Sequence, residues 1–270
     1  MIICPNCGHA NPDSAMTCEE CMVLLDKSKL PKEEPKDKKE GSFADKLSKS
    51  MSIKGENILK STKEADIMFV FDCTGSMGGE IGAMQEAIID FASSIVSDGL
   101  NIRVGLVEFR DRLEGEEQIL HKFSDGVFTK KIKEFQAVIS KLVASGGGDE
   151  PESSPDAVML ALDQPFRDCP NKTIVLITDA SPHLPDKETK SYEEVVAKMK
   201  KKNINQFYLV TMLTNPICHV HLKLLEGVQS YGGDGLAFEL SKKDTERKEH
   251  FKKVLRGLAK SISSKSIAIK

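Results

Sequence analysis

The chain has 270 residues, 40% of them hydrophobic and 29% charged, with a formal net charge of -3. That is enough for one full core plus an appendage. It argues against a nucleic-acid polyanion as the main partner, and the absence of a long apolar run argues against a spanning helix.

The N-terminus, Met1 to Pro5, lacks the basic and apolar regions of a signal segment. Seven cysteines are present. Four have metal spacing and the others, Cys73, Cys169 and Cys218, are scattered, which points to a reducing cytoplasm and not to a disulfide scaffold. Cys4-x2-Cys7 and Cys18-x2-Cys21 are separated by ten residues. Two such pairs offer four thiolates to a tetrahedral Zn²⁺, each pair on a tight knuckle. The stretch between, His9 to Thr17, is polar and turn-rich. It cannot offset its own chain entropy, so the metal is expected to supply the missing stability. Free thiols, a redox Cys-x-x-Cys and an iron–sulfur cluster are the alternatives, and the doubled pair favours zinc over each. His9 could replace a cysteine as ligand but reads as a surface residue. The segment resembles a short zinc ribbon.

Asp26 to about Thr62 reads as a solvated linker. It mixes lysines with Glu33, Glu34, Asp37 and Glu40, and adds Pro31 and Pro35. Phe43, Leu47 and Ile53 suggest a short docking helix inside it. The linker's length and charge favour a tethered ribbon over one packed on the following domain.

Ile67 to Phe71 is apolar at every position, which suits a strand buried on both faces of a parallel sheet. It ends in Asp72, Thr74 and Ser76, spaced by two across a turn softened by Gly75, Gly78 and Gly79. Ile81, Met84, Ile88, Phe91 and Ile95 then mark one face of a helix. A carboxylate and two hydroxyls thus sit at the C-terminal end of a central strand, where open α/β sheets bind ligands. Oxygen donors suit Mg²⁺, Mn²⁺ or Ca²⁺. Helix capping by Asp72 and turn hydrogen bonds by the hydroxyls account for the same residues about equally well.

Asp72-Cys73-Thr74-Gly75-Ser76-Met77 resembles the opening element of the metal-ion-dependent adhesion site of the von Willebrand factor A family, in its Asp-x-Thr-Gly-Ser-Met form. That resemblance covers about Ala65 to Ile262. It implies a doubly wound, Rossmann-like, mostly parallel α/β sheet with helices on both faces. The expected organisation is therefore a zinc ribbon over 1–25, a charged linker over 26–62, an A domain over 63–264 and a tail over 265–270.

Downstream, Ser97-Asp98-Gly99 reads as a helix stop and Asn101 to Asp111 as a strand. Glu117 to Phe123 reads as an antiparallel edge strand and Lys130 to Val143 as a helix. Arg110-Asp111 is similar to a Tyr-Arg-Asp element of some A domains, but a surface salt bridge is the simpler reading. Ser145-Gly-Gly-Gly-Asp149-Glu150-Pro151-Glu152 is a loop able to approach a site closely. By the resemblance Asp149 stands where the family usually places a Thr ligand, while Glu152 reads as an N-terminal helix cap. Lys172 to Thr178 is a second fully apolar strand. It ends in Asp179, which the resemblance makes the far-side cation ligand. His183 reads as a hydrogen-bonded loop residue, and His219 and His221, two apart, are poorly placed for a shared metal. The last helix runs inward with Phe251, Val254, Leu255, Leu258 and Ile262, and the chain after Ser263 reads as frayed.

The resemblance implies a divalent cation held by Asp72, Thr74, Ser76, Asp149 and Asp179, with an open position for a partner protein's carboxylate. A metal-dependent hydrolase or phosphatase is the competing reading. No Gly-x4-Gly-Lys-Ser/Thr loop occurs, and Thr74 occupies the position that a Gly-x-Ser-x-Gly elbow gives to glycine.

Overall fold

The computed structural model describes residues 1–31, 64–148, 150–241 and 246–268. The expectation of a docking helix at Phe43, Leu47 and Ile53 lies outside the described residues. A two-stranded antiparallel ribbon, β1 (Ile2–Ile3) and β2 (Ala10–Asn11), comes first. The larger unit follows as β3 (Glu64–Asp72), α1 (Gly78–Ser97), β4 (Asn101–Phe109), β5 (Ile119–Leu120) and α2 (Ile132–Ile139). It continues through α3 (Ser154–Leu162), β6 (Asn171–Ile177), α4 (Tyr192–Lys201) and β7 (Gln206–Thr211). The elements α5 (Leu222–Ser230), β8 (Ala237–Glu239) and α6 (Arg247–Ala268) complete it.

The sheet order is β5-β4-β3-β6-β7-β8, parallel except for the short antiparallel edge strand β5. This is the mostly parallel, helix-covered sheet that the apolar strands dictate. Residues 65–72 are all buried, because side chains of both pleat faces meet helices. One face, carrying Phe69 and Phe71, packs on α1, α2 and α6, with Phe69 against Phe91 at 5.6 Å between ring centroids. The other, carrying Met68 and Val70, packs on α3, α4 and α5. The five apolar positions that mark α1 are all buried. Gly99, at φ +88, ends the turn after it.

The chain leaves β3 toward β4 on one side and later returns to β6 on the other. The carboxyl ends of β3 and β6 therefore flank the sheet's topological switch, where a crevice opens. Asp72 lies opposite Phe109, and Ile177 opposite Phe71, so Asp72 and Asp179 emerge at the same end.

Three sequence expectations change. The helix read over Lys130 to Val143 is confined to Ile132–Ile139. The helix α6 continues to Ala268 instead of fraying after Ser263, because Ser263 and Ser266 are buried and Ser266 accepts from Gln206 at 3.1 Å. Most important, the ribbon is packed on the sheet and not held away on a tether. Val23 bridges Phe238 antiparallel at the β8 edge. Leu24 N–H donates to the Ala237 carbonyl at 2.8 Å, and Glu239 N–H to the Met22 carbonyl at 2.9 Å. The reason is shared need: β8 has an unpaired edge, and the ribbon has too little core of its own. Residues 26–31 are held on the same body, with Lys27 paired to Glu226 at 2.6 Å.

Candidate metal centres

Two clusters of ligand-type side chains occur among the described residues. In the first, the sulfurs of Cys4, Cys7, Cys18 and Cys21 all lie within 4.8 Å of one another. Cys4 and Cys21 are 3.7 Å apart and Cys7 and Cys18 3.6 Å. A tetrahedron with Zn–S near 2.3 Å has edges of about 3.8 Å, so these two sulfur pairs have the spacing a zinc ion requires and the four thiols can converge on one ion. Gly8 takes φ +82 after the first knuckle. Burial works to raise the Cys18 thiol, but N–H groups of Cys21 and Glu20 outweigh it and bring it down to about 7. Burial pushes Cys21 up instead. Asn6 and Asn11 each place an amide nitrogen 3.6 Å from a cluster sulfur, Cys21 and Cys18 respectively, as partners outside the ligand set often do.

The second cluster is built at the switch point. The backbone leaves β3 in an extended residue, Thr74, and a 3-10 turn, Gly75–Met77, before α1. That turn folds Thr74 back on Asp72: its N–H and hydroxyl both donate to Oδ1, at 2.9 and 2.6 Å. Thr178, at the end of β6, donates to Oδ2 at 2.7 Å. Ser76 donates to Asp179 Oδ1 at 2.8 Å, and its Oγ lies 3.3 Å from that of Thr74. Asp72, Thr74, Ser76 and Asp179 thus form one connected constellation. Asp149 lies outside the described residues. Its loop does reach the constellation: Gly75 N–H donates to the Gly146 carbonyl at 3.2 Å, and Ser145 N–H to that of Cys73 at 3.0 Å. Gly147 has φ +77, and a Cβ there would stand 3.2 Å from Thr74 Cβ and 2.9 Å from Glu152 Oε1. Only glycine allows so close an approach.

These loops line an open cleft of about 360 Å³, with Thr74, Ser76, Glu150, Glu152, Asp179 and Asn215 on its walls. The donor set fits a hard cation. With both hydroxyl protons committed to carboxylates, the Thr74 and Ser76 lone pairs are free to face outward. The electrostatics agree, as a comparison along β3 shows. Asp66 and Asp72 are both fully buried on this strand. Burial opposes ionisation of Asp66, but Arg103 and Arg167 outweigh it and hold its carboxyl below the usual range. Asp72 has hydrogen bonds but, among the described residues, no such pair of cations. Burial pushes it up to about 6 despite the bonds from Thr74 and Thr178, and nearby Asp179 adds to the rise. A second positive charge at the cleft floor is what this pair of carboxylates lacks.

Two side-chain readings are corrected. Glu152 does not cap a helix. It sits in an extended segment bridged to Pro182, buried, two residues ahead of α3. Arg110 and Asp111 do not form a surface pair. Arg110 pairs with Glu108 at 2.7 Å and holds the Gly-loop carbonyls of Ser145 and Val143 at 2.8 and 2.9 Å. Asp111 is fully buried and faces His183 at 3.2 Å. Both histidines of the last pair go to separate carbonyls, His219 to Leu213 and His221 to Ala180. Sequence reasoning missed Arg247. It donates to Asp179 Oδ2 at 3.0 Å, to the Ser76 carbonyl at 2.7 Å and to Glu80 at 3.0 Å. Nothing local marks this arginine, since its partners lie 68 and more residues away. Thr178 could have been found, as the hydroxyl beside Asp179.

Comparisons with known proteins agree with this architecture. Human (Homo sapiens) hemicentin-1 is 28% identical over 208 residues, 75% of this chain and 3% of that protein. The alpha-protein kinase vwkA of Dictyostelium discoideum is 25% identical over 127 residues, 46% of this chain and 20% of that one. The chain therefore spans a small part of these relatives. The crystal structure of the pilus adhesin SpaC from Lactobacillus rhamnosus GG, in its open conformation, superposes with a TM-score of 0.51. It does so at 17% identity, over 75% of this chain and 30% of that one, and so shares the fold. The family model for the von Willebrand factor A domain matches residues 66–223, and the chain belongs to that family.

Proposed function

We propose that this chain is a divalent-cation-dependent protein-interaction module. Asp72, Thr74, Ser76, Asp149 and Asp179 hold Mg²⁺, Ca²⁺ or Mn²⁺, and an open coordination position accepts a carboxylate from a partner protein. The observation that carries the reading is the hydroxyl pair of Thr74 and Ser76. Both donate to buried carboxylates and leave their lone pairs to an open cleft. Hard cations prefer this all-oxygen set and keep exchangeable waters. The cleft is open, so an acidic side chain can reach its floor. The four cysteines hold Zn²⁺, and the chain's free thiols suit a reducing compartment such as the cytoplasm. We read the role as binding, and His183, at the third cleft loop, is engaged by the buried Asp111 at 3.2 Å.

The test is a partner pull-down with wild type and Asp72→Ala, with and without Mg²⁺. A partner captured only by wild type, and only with cation, supports the reading. A partner retained in all four conditions refutes it. Divalent-dependent turnover in a phosphatase or esterase screen, lost in Asp72→Ala, would replace it with the hydrolase reading.

A further inference from the structure

The helix α6 touches both clusters. At its first residue, Arg247 ties Asp179 and the Ser76 carbonyl together from behind the cleft. Ten residues on, about 15 Å along the axis, Gly257 lies against the cysteine ribbon. A Cβ on Gly257 would stand 2.8 Å from both Cys21 Cβ and the Cys21 carbonyl oxygen. Asn6, between the first two cysteines, donates from its side-chain amide to the Gly257 carbonyl at 3.0 Å, and lies 3.6 Å from Cys21 Sγ. Lys253 and Lys260 donate to the ribbon carbonyls of Glu19 and Cys7 at 3.2 and 3.1 Å. One rigid helix is thus held at its middle by the ribbon and ends on a candidate cation ligand.

We propose that the metal-loaded ribbon is a clamp on α6 that keeps Arg247 on Asp179, so that occupancy of the four-cysteine site sets the affinity of the cleft for a divalent cation. This rests on the reading of the cleft as a cation site. Arg247 acts as a positioning residue. Its fork fixes Asp179 Oδ2, which leaves Oδ1 to take the Ser76 proton and turns the Ser76 lone pair outward. Its own charge is offset by Glu80, paired at 3.0 Å, so the pair adds little net field and orientation dominates. The helix α6 packs closely on α1, where a Cβ on Gly79 would lie 3.0 Å from Arg247 Cβ, so the place of the guanidinium is set by how α6 is seated.

The experiment is Mn²⁺ titration of the full chain, followed by electron paramagnetic resonance, with zinc content measured in parallel. Gly257→Val wedges the helix from the ribbon, and Asn6→Leu is a milder cut that leaves every cysteine in place. Each is expected to weaken Mn²⁺ binding about tenfold, the lower end of what partners outside a ligand set contribute. Arg247→Met should weaken it as much and Arg247→Lys less. The double variant Asn6→Leu/Arg247→Met should be no weaker than Arg247→Met alone, because both act through one contact. Unchanged Mn²⁺ affinity in folded Asn6→Leu and Gly257→Val overturns the coupling, as does tighter binding in Arg247→Met. Mn²⁺ uptake that survives Asp72→Asn would instead sink the cation-site reading, and the coupling with it.

Discussion

Asp72→Asn separates the two demands made on that side chain. In the metal-free protein the Asp72 carboxyl sits at about 6 against an ordinary 3.8. The ionised form therefore costs on the order of 3 kcal/mol of folding free energy at pH 7. The sign follows from proton counting: between those two values the folded protein keeps a proton that the unfolded chain has released. Metal-free stability should thus fall as pH rises from about 4 to 6, and stay level above. Asparagine fits the same bonds. Its carbonyl can accept from Thr74, and its amide can donate to Thr178, whose hydroxyl rotates to receive it. Without divalent cation, Asp72→Asn should raise Tm at pH 7 by about 6–12 °C, at roughly 2–4 °C per kcal/mol for a domain of this size. With Mg²⁺ or Mn²⁺ at about 100 times Kd the gap should nearly close, since wild type gains about 2.7 kcal/mol and the variant nothing, and at about 1,000 times Kd, where the gain is about 4.1 kcal/mol, the order should reverse. The assay is thermal unfolding followed by circular dichroism, on protein cleared of loosely held cations by gel filtration, which leaves in place a metal held by the four thiolates. A metal-free variant less stable than wild type, or a wild type whose Tm ignores both cations, would refute the reasoning.

The other end of β3 gives the opposite mutational result. Arg167→Leu should cost about 3 kcal/mol in urea unfolding, because Asp66 stays buried with Arg103 as its one remaining cation. His221 is fully buried, held by Tyr192 and the Ala180 carbonyl, and burial lowers it from 6.5 to about 4. The unfolded chain takes up that proton first, so this residue should remove about 3 kcal/mol of stability as pH falls from 6.5 to 4. The loss should be absent from His221→Gln, and equal pH profiles for the two proteins would count against it. Stripping the cysteine-bound metal, or Cys4→Ser, should free the β8 edge that Met22 to Leu24 cover. Size-exclusion chromatography with light scattering should then show self-association; a strictly monomeric stripped protein would contradict the capping role.

Much of this could be read from residue order because the signals are local. Two strands with runs apolar on both faces, Ile67 to Phe71 and Ile174 to Ile177, required helices on either side and so a parallel sheet. Each ended in an aspartate, and strand ends in such sheets are where side chains meet ligands. The cysteine spacing carried its own chemistry. The ends of α2 and α6 are not legible in the sequence because helix ends are decided by what lies beside them: α6 is prolonged by buried serines that look like a polar tail. Asp111 and Glu152 read in sequence as a surface pair and a helix cap, but both lie buried, Asp111 facing His183 and Glu152 bridged to Pro182.

By itself the sequence determined the sheet, its covering helices, the thiol quartet and the strand-end residues Asp72, Thr74, Ser76 and Asp179, because each depends on neighbours a few positions away. Only the tertiary structure decided that the ribbon seals the β8 edge, that Arg247 stands behind Asp179, and that Asp66 is neutralised while Asp72 is not. Those outcomes come from groups distant in the chain meeting in a low-dielectric interior, where a charge either finds its partner or bears the full cost of lacking one.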